Sequence, residues 1–232
     1  MRERKQRDIV ETMPNFSVEK ARLAQLKLSR MIIHEDILPP QIQLIAGVDT
    51  AYMKDCSIGA VAVLDYSTLK FLESKFVICR TLFPYIPTLL SFRELQPAVL
   101  SIQKLHLKPD VFLMDAHGFA HPYHCGLASH LGVVIDKPTI GVAKSWLFGK
   151  VEDTLSRSDV AFFRGEDEVV GAVVATKPGS KPVYVSTGHK VSLRTAITIV
   201  KHCTRQTRVP EPILKAHEIS VAERKKLKHS NM

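Results

Sequence analysis

Three acidic residues lie in or beside apolar segments, where burial of a charged group destabilises a fold. Such positions are also typical of carboxylates that take part in catalysis. Asp49 interrupts an apolar segment, Asp115 closes the short apolar run VFLMD, and Glu94 lies at the start of a helical pattern between them. Clustered carboxylates repel one another unless a cation neutralises them. Hard oxygen ligands favour Mg²⁺ or Mn²⁺, which activate water for attack on a phosphate. If the three acids converge, they predict metal-assisted phosphodiester hydrolysis.

Each acid also has an ordinary structural explanation. Ser91 and Glu94 have the S-x-x-E spacing of a helix capping box. Asp49 has the alternative of pairing with a buried Lys or Arg, and Asp115 that of capping a turn. The chemical interpretation therefore depends on the three acids meeting at one point.

A second group of possible metal ligands follows Asp115. It contains His117, His121, His124, His130 and Cys125. A His-rich run is one form of zinc site, and a zinc-dependent hydrolase is a rival interpretation. The spacing is neither H-E-x-x-H nor a paired C-x-x-C, so this signal is weaker than that of the acids.

The elements that must position these side chains follow from hydrophobic spacing and turn residues. Helices are predicted at 17–33, 91–106, 122–131 and 192–203, the first capped by Ser17 and the second by Ser91. Strands are predicted at 43–52, 58–65, 69–80, 110–115, 139–143, 169–175 and 183–186. The first three strands are predicted to form an antiparallel meander whose middle strand is apolar on both faces. Together they predict one α/β domain over 1–232, with a mixed sheet of five or more strands flanked by helices.

Composition describes an ordinary globular chain with excess positive charge. Apolar residues make up 45% and charged residues 24% of the 232 residues, which excludes a disordered or collagen-like polymer. The formal charge of +9 favours a polyanionic partner. Residues 177–210 contain seven basic residues and no acidic one, and this stretch is predicted to face phosphates. The amino-terminal segment is charged, and the basic tail from about 218 to 232 is predicted to be frayed.

The sequence also predicts a cytoplasmic location without membrane contact. No apolar run reaches the roughly 18–20 residues of a membrane helix, and the charged first residues lack the apolar core of a secretory signal. The four cysteines form no C-x-x-C pair. This pattern suits free thiols in a reducing compartment.

Six colinear blocks closely resemble the endonuclease V family. They are GVDTAY (47–52), FPYIPTLLSFRE (83–94), DAHGFAHPYHCGLASHLG (115–132), PTIGVAKSWLFG (138–149), VYVSTGHKVSL (183–193) and RVPEPILKAH (208–217). The order of the acids is that of the ribonuclease H-like fold. The resemblance implies a metal-dependent endonuclease that cuts the second phosphodiester bond 3′ to deoxyinosine, leaving 3′-hydroxyl and 5′-phosphate ends. Some members also cut RNA at inosine.

The resemblance assigns roles to residues of this chain. Three residues look like metal ligands that also act in catalysis, Asp49, Glu94 and Asp115. His217 matches a late histidine that assists near the metal. Lys144 matches a phosphate-binding lysine, and His189 is expected to face the nucleic-acid backbone. The implied cofactor is Mg²⁺, with Mn²⁺ as a substitute, and the implied partner is inosine-containing DNA, with RNA as an alternative, in nucleic-acid repair.

A loop with two prolines is similar to the family's base wedge, and it consists of Pro84, Tyr85, Ile86 and Pro87. The prolines stiffen the loop, so that its side chains are held outward at low entropy cost and can fill the gap left by an extruded base. Leu90, Ala116 and Gly118 match positions that line the base pocket. The family usually has Gly where this chain has Ala116, whose methyl group is expected to affect the pocket more than the metal site.

Two other function classes remain open from the sequence. One is a non-catalytic module that binds inosine or nucleic acid, in which the acids have no catalytic role. The other is a junction-resolving or RNA-degrading nuclease on the same fold, against which the PYIP loop argues because such enzymes do not extrude a base. No obligate protein partner is inferred, and a monomer is expected.

Overall fold

The computed structural model describes residues 17–151 and 159–230, so the charged amino-terminal segment lies outside the described residues. Within these ranges the helices are α1 (Val18–Ser29), α2 (Leu90–Ile102), α3 (Leu127–Ile135), α4 (Leu193–His202) and α5 (Glu211–Ser230). The strands are β1 (Leu44–Met53), β2 (Cys56–Asp65), β3 (Phe71–Arg80), β4 (Val111–Met114), β5 (Thr139–Ala143), β6 (Lys150–Val151), β7 (Val160–Arg164), β8 (Val169–Val174) and β9 (Val183–His189). None of these helices is long and apolar enough to cross a bilayer.

The nine strands form one mixed sheet with the order β3-β2-β1-β4-β5-β9-β8-β7-β6. β4 pairs in parallel with both β1 and β5, and the other neighbours are antiparallel. The predicted meander of β1, β2 and β3 is confirmed, and every residue from 57 to 64 of the inner strand β2 is buried. The prediction of an α/β fold with a mixed sheet flanked by helices is therefore confirmed.

Helices cover both faces of this sheet because side chains alternate along its inner strands. On one face, α4 and α5 pack on a core that includes Ile45 and Leu113. On the other face, α2 and α3 pack on Ala46 and Phe112, the neighbours of those two residues in the chain. The inner strands are thus buried on both sides, which leaves their carboxyl ends as the accessible part of the sheet.

The start of α5 lies directly on β1. A Cβ atom at Gly47 would be 2.0 Å from the carbonyl carbon and oxygen of Pro212, so only glycine permits this approach. The contact sets α5 against the strand that carries Asp49, two residues further along the chain.

Two helix starts differ from the prediction. α2 begins at Leu90 and has no side-chain cap, so Ser91 lies buried inside the helix and does not form a capping box with Glu94. Residues 122–126 are not helical, and α3 begins only at Leu127. The reason is local: His124 has a φ of 50°, which a right-handed helix does not contain.

The basic tail also differs from the prediction of a frayed end. α5 continues to Ser230 in one helix of 20 residues. Its first half is anchored by the buried residues Ile213, Ala216 and Ser220. Ion pairs between residues three positions apart, such as Lys226 with Glu223 at 2.6 Å, support its exposed second half.

Candidate active site

Four of the residues singled out in the sequence line one cavity of about 350 Å³, Asp49, Glu94, Asp115 and His217. The cavity lies at the carboxyl ends of parallel strands, where open α/β sheets carry their sites. Val48 of β1 is paired with Met114 of β4, so the acids that follow these two residues are side by side. Glu94 comes from α2 and His217 from α5, on opposite faces of the sheet.

Asp49 is held by two side chains of α5. The Ser220 hydroxyl donates a hydrogen bond to Asp49 Oδ2, and the Nδ1 atom of His217 lies 3.3 Å from the same oxygen. Ser220 is fully buried. The close contact of α5 with Gly47 therefore has a direct effect on the site, because it brings both partners to Asp49.

The carboxylate of Glu94 is held by a side chain of β1. The Tyr52 hydroxyl donates to Glu94 Oε1 at 2.8 Å, and the guanidinium of Arg93 stacks on the Tyr52 ring at 4.3 Å. The pKa of Glu94 is raised to about 7, mainly by burial and also by the negative charges of Asp49 and Asp115, against the opposing Tyr52 hydrogen bond. Glu94 is therefore within electrostatic range of both other acids.

Asp115 forms an ion pair with Lys144, which follows the end of β5. β5 is the parallel neighbour of β4, so the lysine and the acid emerge from the same edge of the sheet. The sequence predicts a phosphate contact for Lys144, and the ion pair puts this side chain beside the carboxylates, where such a contact is possible.

The side chains of the three acids are not arranged around one point as the ligands of a metal ion would be. No three His, Cys, Asp or Glu side chains in residues 17–151 and 159–230 are arranged to hold a metal ion. Each acid is bonded to protein groups instead, Asp49 to Ser220 and His217, Glu94 to Tyr52, and Asp115 to Lys144. The donor chemistry nevertheless fits a hard cation, because three carboxylates share one cavity and two of them raise the pKa of the third.

The histidine-rich segment does not form a zinc site within the part of the chain that the structure describes. His124 packs against Phe119 with ring centroids 4.5 Å apart, and His130 packs edge-on against Phe92 at 5.3 Å. Burial lowers the pKa of His130 to about 4, so this ring is neutral near pH 7. His130 is buried, and His124 is half-buried against an aromatic ring.

A second cavity, of about 220 Å³, adjoins the first, and Leu127 lines both. Its wall contains Leu90 and Ala116, which the resemblance assigns to a base pocket, and Tyr85, which it assigns to a wedge. The Tyr85 side chain is 67% exposed at this position. The aromatic ring of Tyr85 is therefore exposed to solvent beside the second cavity. The wall of this cavity includes Ala116, the residue that follows Asp115.

The wedge loop is anchored at its carboxyl end. Ile86 packs in a small core with Phe83 and Leu89, whereas Pro87 is exposed. Thr88 has a φ of 71°, which is unusual for a β-branched residue. Its carbonyl oxygen accepts hydrogen bonds from Gln25 Nε2 and His121 Nε2, both at 2.9 Å. These two bonds hold the strained residue that ends the loop.

Two predicted site residues lie elsewhere. Gly118 is not in the wall of the second cavity; it is buried, and its N–H donates to Ser186 Oγ at 2.9 Å. His189 is only 3% exposed, and its Nδ1 atom accepts from the backbone N–H of Ile33 at 3.2 Å. The prediction that His189 faces phosphates is wrong, because β9 directs this ring into the protein.

Three residues of the site were missed in the sequence: Tyr52 and Arg224 line the first cavity, and Ser220 donates a hydrogen bond to Asp49. Ser220 and Arg224 lie three and seven residues after His217, which is the spacing of one helix face. A helix predicted over 211–230 would have identified both. The hydrogen bond from Tyr52 to the Glu94 carboxylate depends on the packing of α2 on the meander, so no local sequence pattern reveals it.

The chain is similar to known proteins over most of its length. The family model for endonuclease V matches residues 26–218. Endonuclease V from Thermofilum pendens is 45% identical over 209 residues, covering 90% of this chain and 89% of that protein. The crystal structure of endonuclease V from Streptomyces avermitilis has a TM-score of 0.84 at 35% identity, covering 93% of this chain and 95% of that one.

A third relative has been crystallised with nucleic acid. Endonuclease V from Ciona intestinalis, in complex with a 24mer DNA containing an inosine followed by a ribo-adenosine, has a TM-score of 0.83 at 33% identity. The match covers 90% of this chain and 98% of that one. The family model covers most of the described residues, including Asp49, Glu94, Asp115 and His217. The chain therefore belongs to the endonuclease V family and is an endonuclease with a ribonuclease H-like fold.

Proposed function

We propose that the protein recognises the deaminated adenine base hypoxanthine and hydrolyses the second phosphodiester bond on its 3′ side. The substrate is deoxyinosine in DNA, with inosine in RNA as an alternative, and the products carry 3′-hydroxyl and 5′-phosphate ends. The observation that supports this most directly is the pair of adjoining cavities. One is lined by three carboxylates, and the other has an exposed tyrosine at its wall.

In this proposal Asp49, Asp115 and Glu94 hold Mg²⁺, or Mn²⁺ in its place. The ion, when bound, polarises the scissile phosphate and lowers the pKa of water. The protein's own contribution is to orient the acids. Ser220 fixes Asp49, Tyr52 fixes Glu94, and the His217 ring beside Asp49 is placed to hold or move a proton.

Two cationic side chains suit the phosphates of the substrate. Lys144 is paired with Asp115 and partly exposed, and Arg224 is an exposed residue in the wall of the first cavity. Tyr85 acts as the wedge, because a stiff loop that presents an aromatic ring can stack in the space that an extruded base leaves. The extruded base then occupies the second cavity.

The Ciona intestinalis complex, which contains inosine in its DNA, supports this choice of substrate. A non-catalytic binding module has no need of three carboxylates in one cavity, and membership of a nuclease family argues against it. The activity suggests a role in the repair of nucleic acid that contains deaminated adenine.

The experiment that tests this proposal compares matched oligonucleotides with a single inosine or adenosine. Single- and double-stranded DNA and RNA are incubated with the protein in Mg²⁺, Mn²⁺ or EDTA, and the product ends are mapped. We expect cleavage at one position 3′ to inosine that requires the metal. Equal cleavage of inosine and adenosine strands, or cleavage in EDTA, would contradict it.

A further inference from the structure

Two loops at one edge of the sheet carry a group of cations. The first loop joins β8 to β9, and the second joins α4 to α5. Four basic residues of these loops are here called the basic cluster: Lys177, Lys181, Arg205 and Arg208. Three of them are exposed, and Arg208 is half-buried. None of the four forms a salt bridge with a carboxylate of residues 17–151 or 159–230, so the described part of the protein does not pair their charges.

Neutral groups hold the basic cluster in place. The ammonium group of Lys177 donates to the carbonyl oxygen of Gln206 in the second loop. Arg208 Nη1 donates in the other direction, to the carbonyl oxygen of Pro182 at 2.9 Å, and the Thr176 hydroxyl donates to the Arg208 carbonyl oxygen at 2.7 Å. A carbonyl oxygen orients a cation without cancelling its charge, and a guanidinium has five N–H donors, of which this bond uses one. The two loops are thus joined with their positive charge intact.

Two carboxylates beside these loops have other partners. The backbone of Asp159 accepts a hydrogen bond from the N–H of Ala175 in the first loop, but its carboxylate pairs with Lys201 at 2.6 Å. Glu211 follows the second loop, and its carboxylate accepts the backbone N–H of Gln206 at 3.1 Å. A ligand that fits the basic cluster must therefore supply several negative charges of its own.

Strand pairing gives the position of the cluster relative to the acids. Tyr184, near the start of β9, pairs with Ala143 at the end of β5, and Lys144 follows Ala143. β5 is the parallel neighbour of β4, the strand that leads to Asp115. The loop before β9 therefore projects from the same edge of the sheet as Asp115. Because neighbouring strands lie about 4.8 Å apart, two strand spacings separate them by about 10 Å.

The two faces of the sheet give the direction from the acids to the cluster. The second cavity contains Leu90 of α2 and Leu127 of α3, whereas the second loop of the cluster connects the helices of the opposite face. The first cavity lies between the faces, with Glu94 from α2 and His217 from α5. In the proposed function the base occupies the second cavity and lies 5′ to the scissile bond. A strand that passes from the second cavity through the first therefore continues on its 3′ side toward the face of α4 and α5.

The basic cluster thus lies on the path of the substrate beyond the scissile bond. Successive phosphates of one DNA strand are about 3.4 Å apart along the helix axis, so about 10 Å corresponds to about three nucleotides. We infer that the basic cluster binds the phosphates of the nucleic acid about three nucleotides 3′ to the scissile bond. Contacts of this kind add affinity that depends on salt, and they carry no sequence information. The cluster therefore acts separately from the residues that select the base.

The inference rests on the proposed function and is tested by the length of the substrate. Binding of the intact protein to DNA duplexes with one inosine is measured by fluorescence anisotropy in EDTA, over a range of salt concentrations. One duplex extends about ten base pairs 3′ to the scissile bond and the other about two, so that only the long duplex reaches the cluster. The duplexes are identical on the 5′ side. Versions with adenosine in place of inosine measure the base preference.

The double variant Lys181→Gln/Arg205→Gln removes two charges of the cluster. Both side chains are exposed, and neither forms a hydrogen bond within the described residues, so the melting temperature should equal that of the wild-type protein. On the long duplex, the slope of the logarithm of the association constant against the logarithm of salt concentration should decrease in magnitude by about 2. On the short duplex the slope should equal the wild-type value. The preference for inosine over adenosine should not change.

A matched control removes the same charge at the opposite edge of the sheet. Lys108 precedes β4 and Lys137 precedes β5, and both are exposed. Lys108→Gln/Lys137→Gln should therefore keep the wild-type slope on both duplexes, since these lysines lie at the amino ends of the strands whose carboxyl ends lead to Asp115 and Lys144.

The failure of the inference differs from the failure of the proposed function. The inference is wrong if Lys181→Gln/Arg205→Gln keeps the wild-type slope on the long duplex, if it lowers the slope equally on both duplexes, or if the control lowers it as much. The proposed function stands in each of these cases when the wild-type protein prefers inosine. If the wild-type protein does not distinguish inosine from adenosine, the proposed function is wrong, and the inference fails with it.

Discussion

The contact between β1 and α5 makes a quantitative prediction for Gly47→Ala. The new Cβ atom would lie 2.0 Å from the Pro212 carbonyl, and ordinary van der Waals contact begins at 3.4 Å. Both sides of the contact are backbone, so no side chain can rotate away. The start of α5 must move from β1 by about 1.4 Å or the strand must deform.

This displacement has two measurable consequences. Overpacking of this kind costs on the order of 3 kcal/mol of the free energy of unfolding. It also moves His217 and Ser220 away from Asp49, and a misplacement of about 1 Å can lower activity on the order of 100-fold. Urea denaturation gives the first quantity, and kcat/KM for an inosine oligonucleotide under conditions where the variant is folded gives the second.

Gly179→Ala is the matched control. A Cβ atom at Gly179 meets nothing within 4 Å, but the residue has a φ of 72°. Gly179→Ala should therefore lower the free energy of unfolding by only about 1–2 kcal/mol, because alanine is disfavoured at a positive φ. It should leave kcat/KM unchanged. Wild-type stability and activity of Gly47→Ala would refute the argument that this contact positions the site.

Variants at four other positions test the cavities and the core. Asp115→Asn should lower cleavage on the order of 10³-fold or more and keep oligonucleotide binding; wild-type cleavage would contradict its role. Tyr85→Ala should lower the preference for inosine over adenosine about tenfold, since stacking on one base contributes about 1–3 kcal/mol; an unchanged ratio would exclude the wedge. Arg224→Ala should reduce the slope of the logarithm of the oligonucleotide association constant against the logarithm of salt concentration by about 1. A slope equal to that of the wild-type protein would exclude a phosphate contact. His130 has its pKa lowered to about 4 by burial, so the unfolded chain, with a pKa near 6.5, takes up the proton first. Stability should therefore fall as pH drops from 6.5 to 4, by on the order of 3 kcal/mol for this residue. Urea denaturation at pH 8 and pH 5 measures this loss of the free energy of unfolding. In His130→Leu the loss between the two pH values should be smaller than in the wild-type protein. An equal loss in both proteins would contradict the assignment of the effect to His130.

The strands and the acids were predictable because their signals are local. β5 was predicted at its observed bounds, since five apolar and β-branched residues follow a proline and precede a lysine. Asp49 and Asp115 were found because each is an acid on or just after an apolar strand. Two strands, β6 and β7, escaped prediction, and β6 has only two residues, both exposed.

The errors arose where tertiary packing overrides a local pattern. The S-x-x-E spacing predicted a capping box, but Glu94 bonds to Tyr52 from another element. His189 lies within an acid-free basic stretch, yet it belongs to a run of five buried residues at the end of β9, and its ring is buried. The helical nature of 218–230 was missed because only a few buried positions anchor α5, and its remaining surface is strongly charged.

The partners of Asp49 lie far from it along the chain. The carboxylate lies on the first strand, whereas His217 and Ser220 follow it by 168 and 171 positions. During synthesis on the ribosome, the meander emerges long before α5 does. A nascent chain therefore carries an unbraced Asp49 until α5 has left the exit tunnel, so nuclease activity cannot begin before α5 has been made.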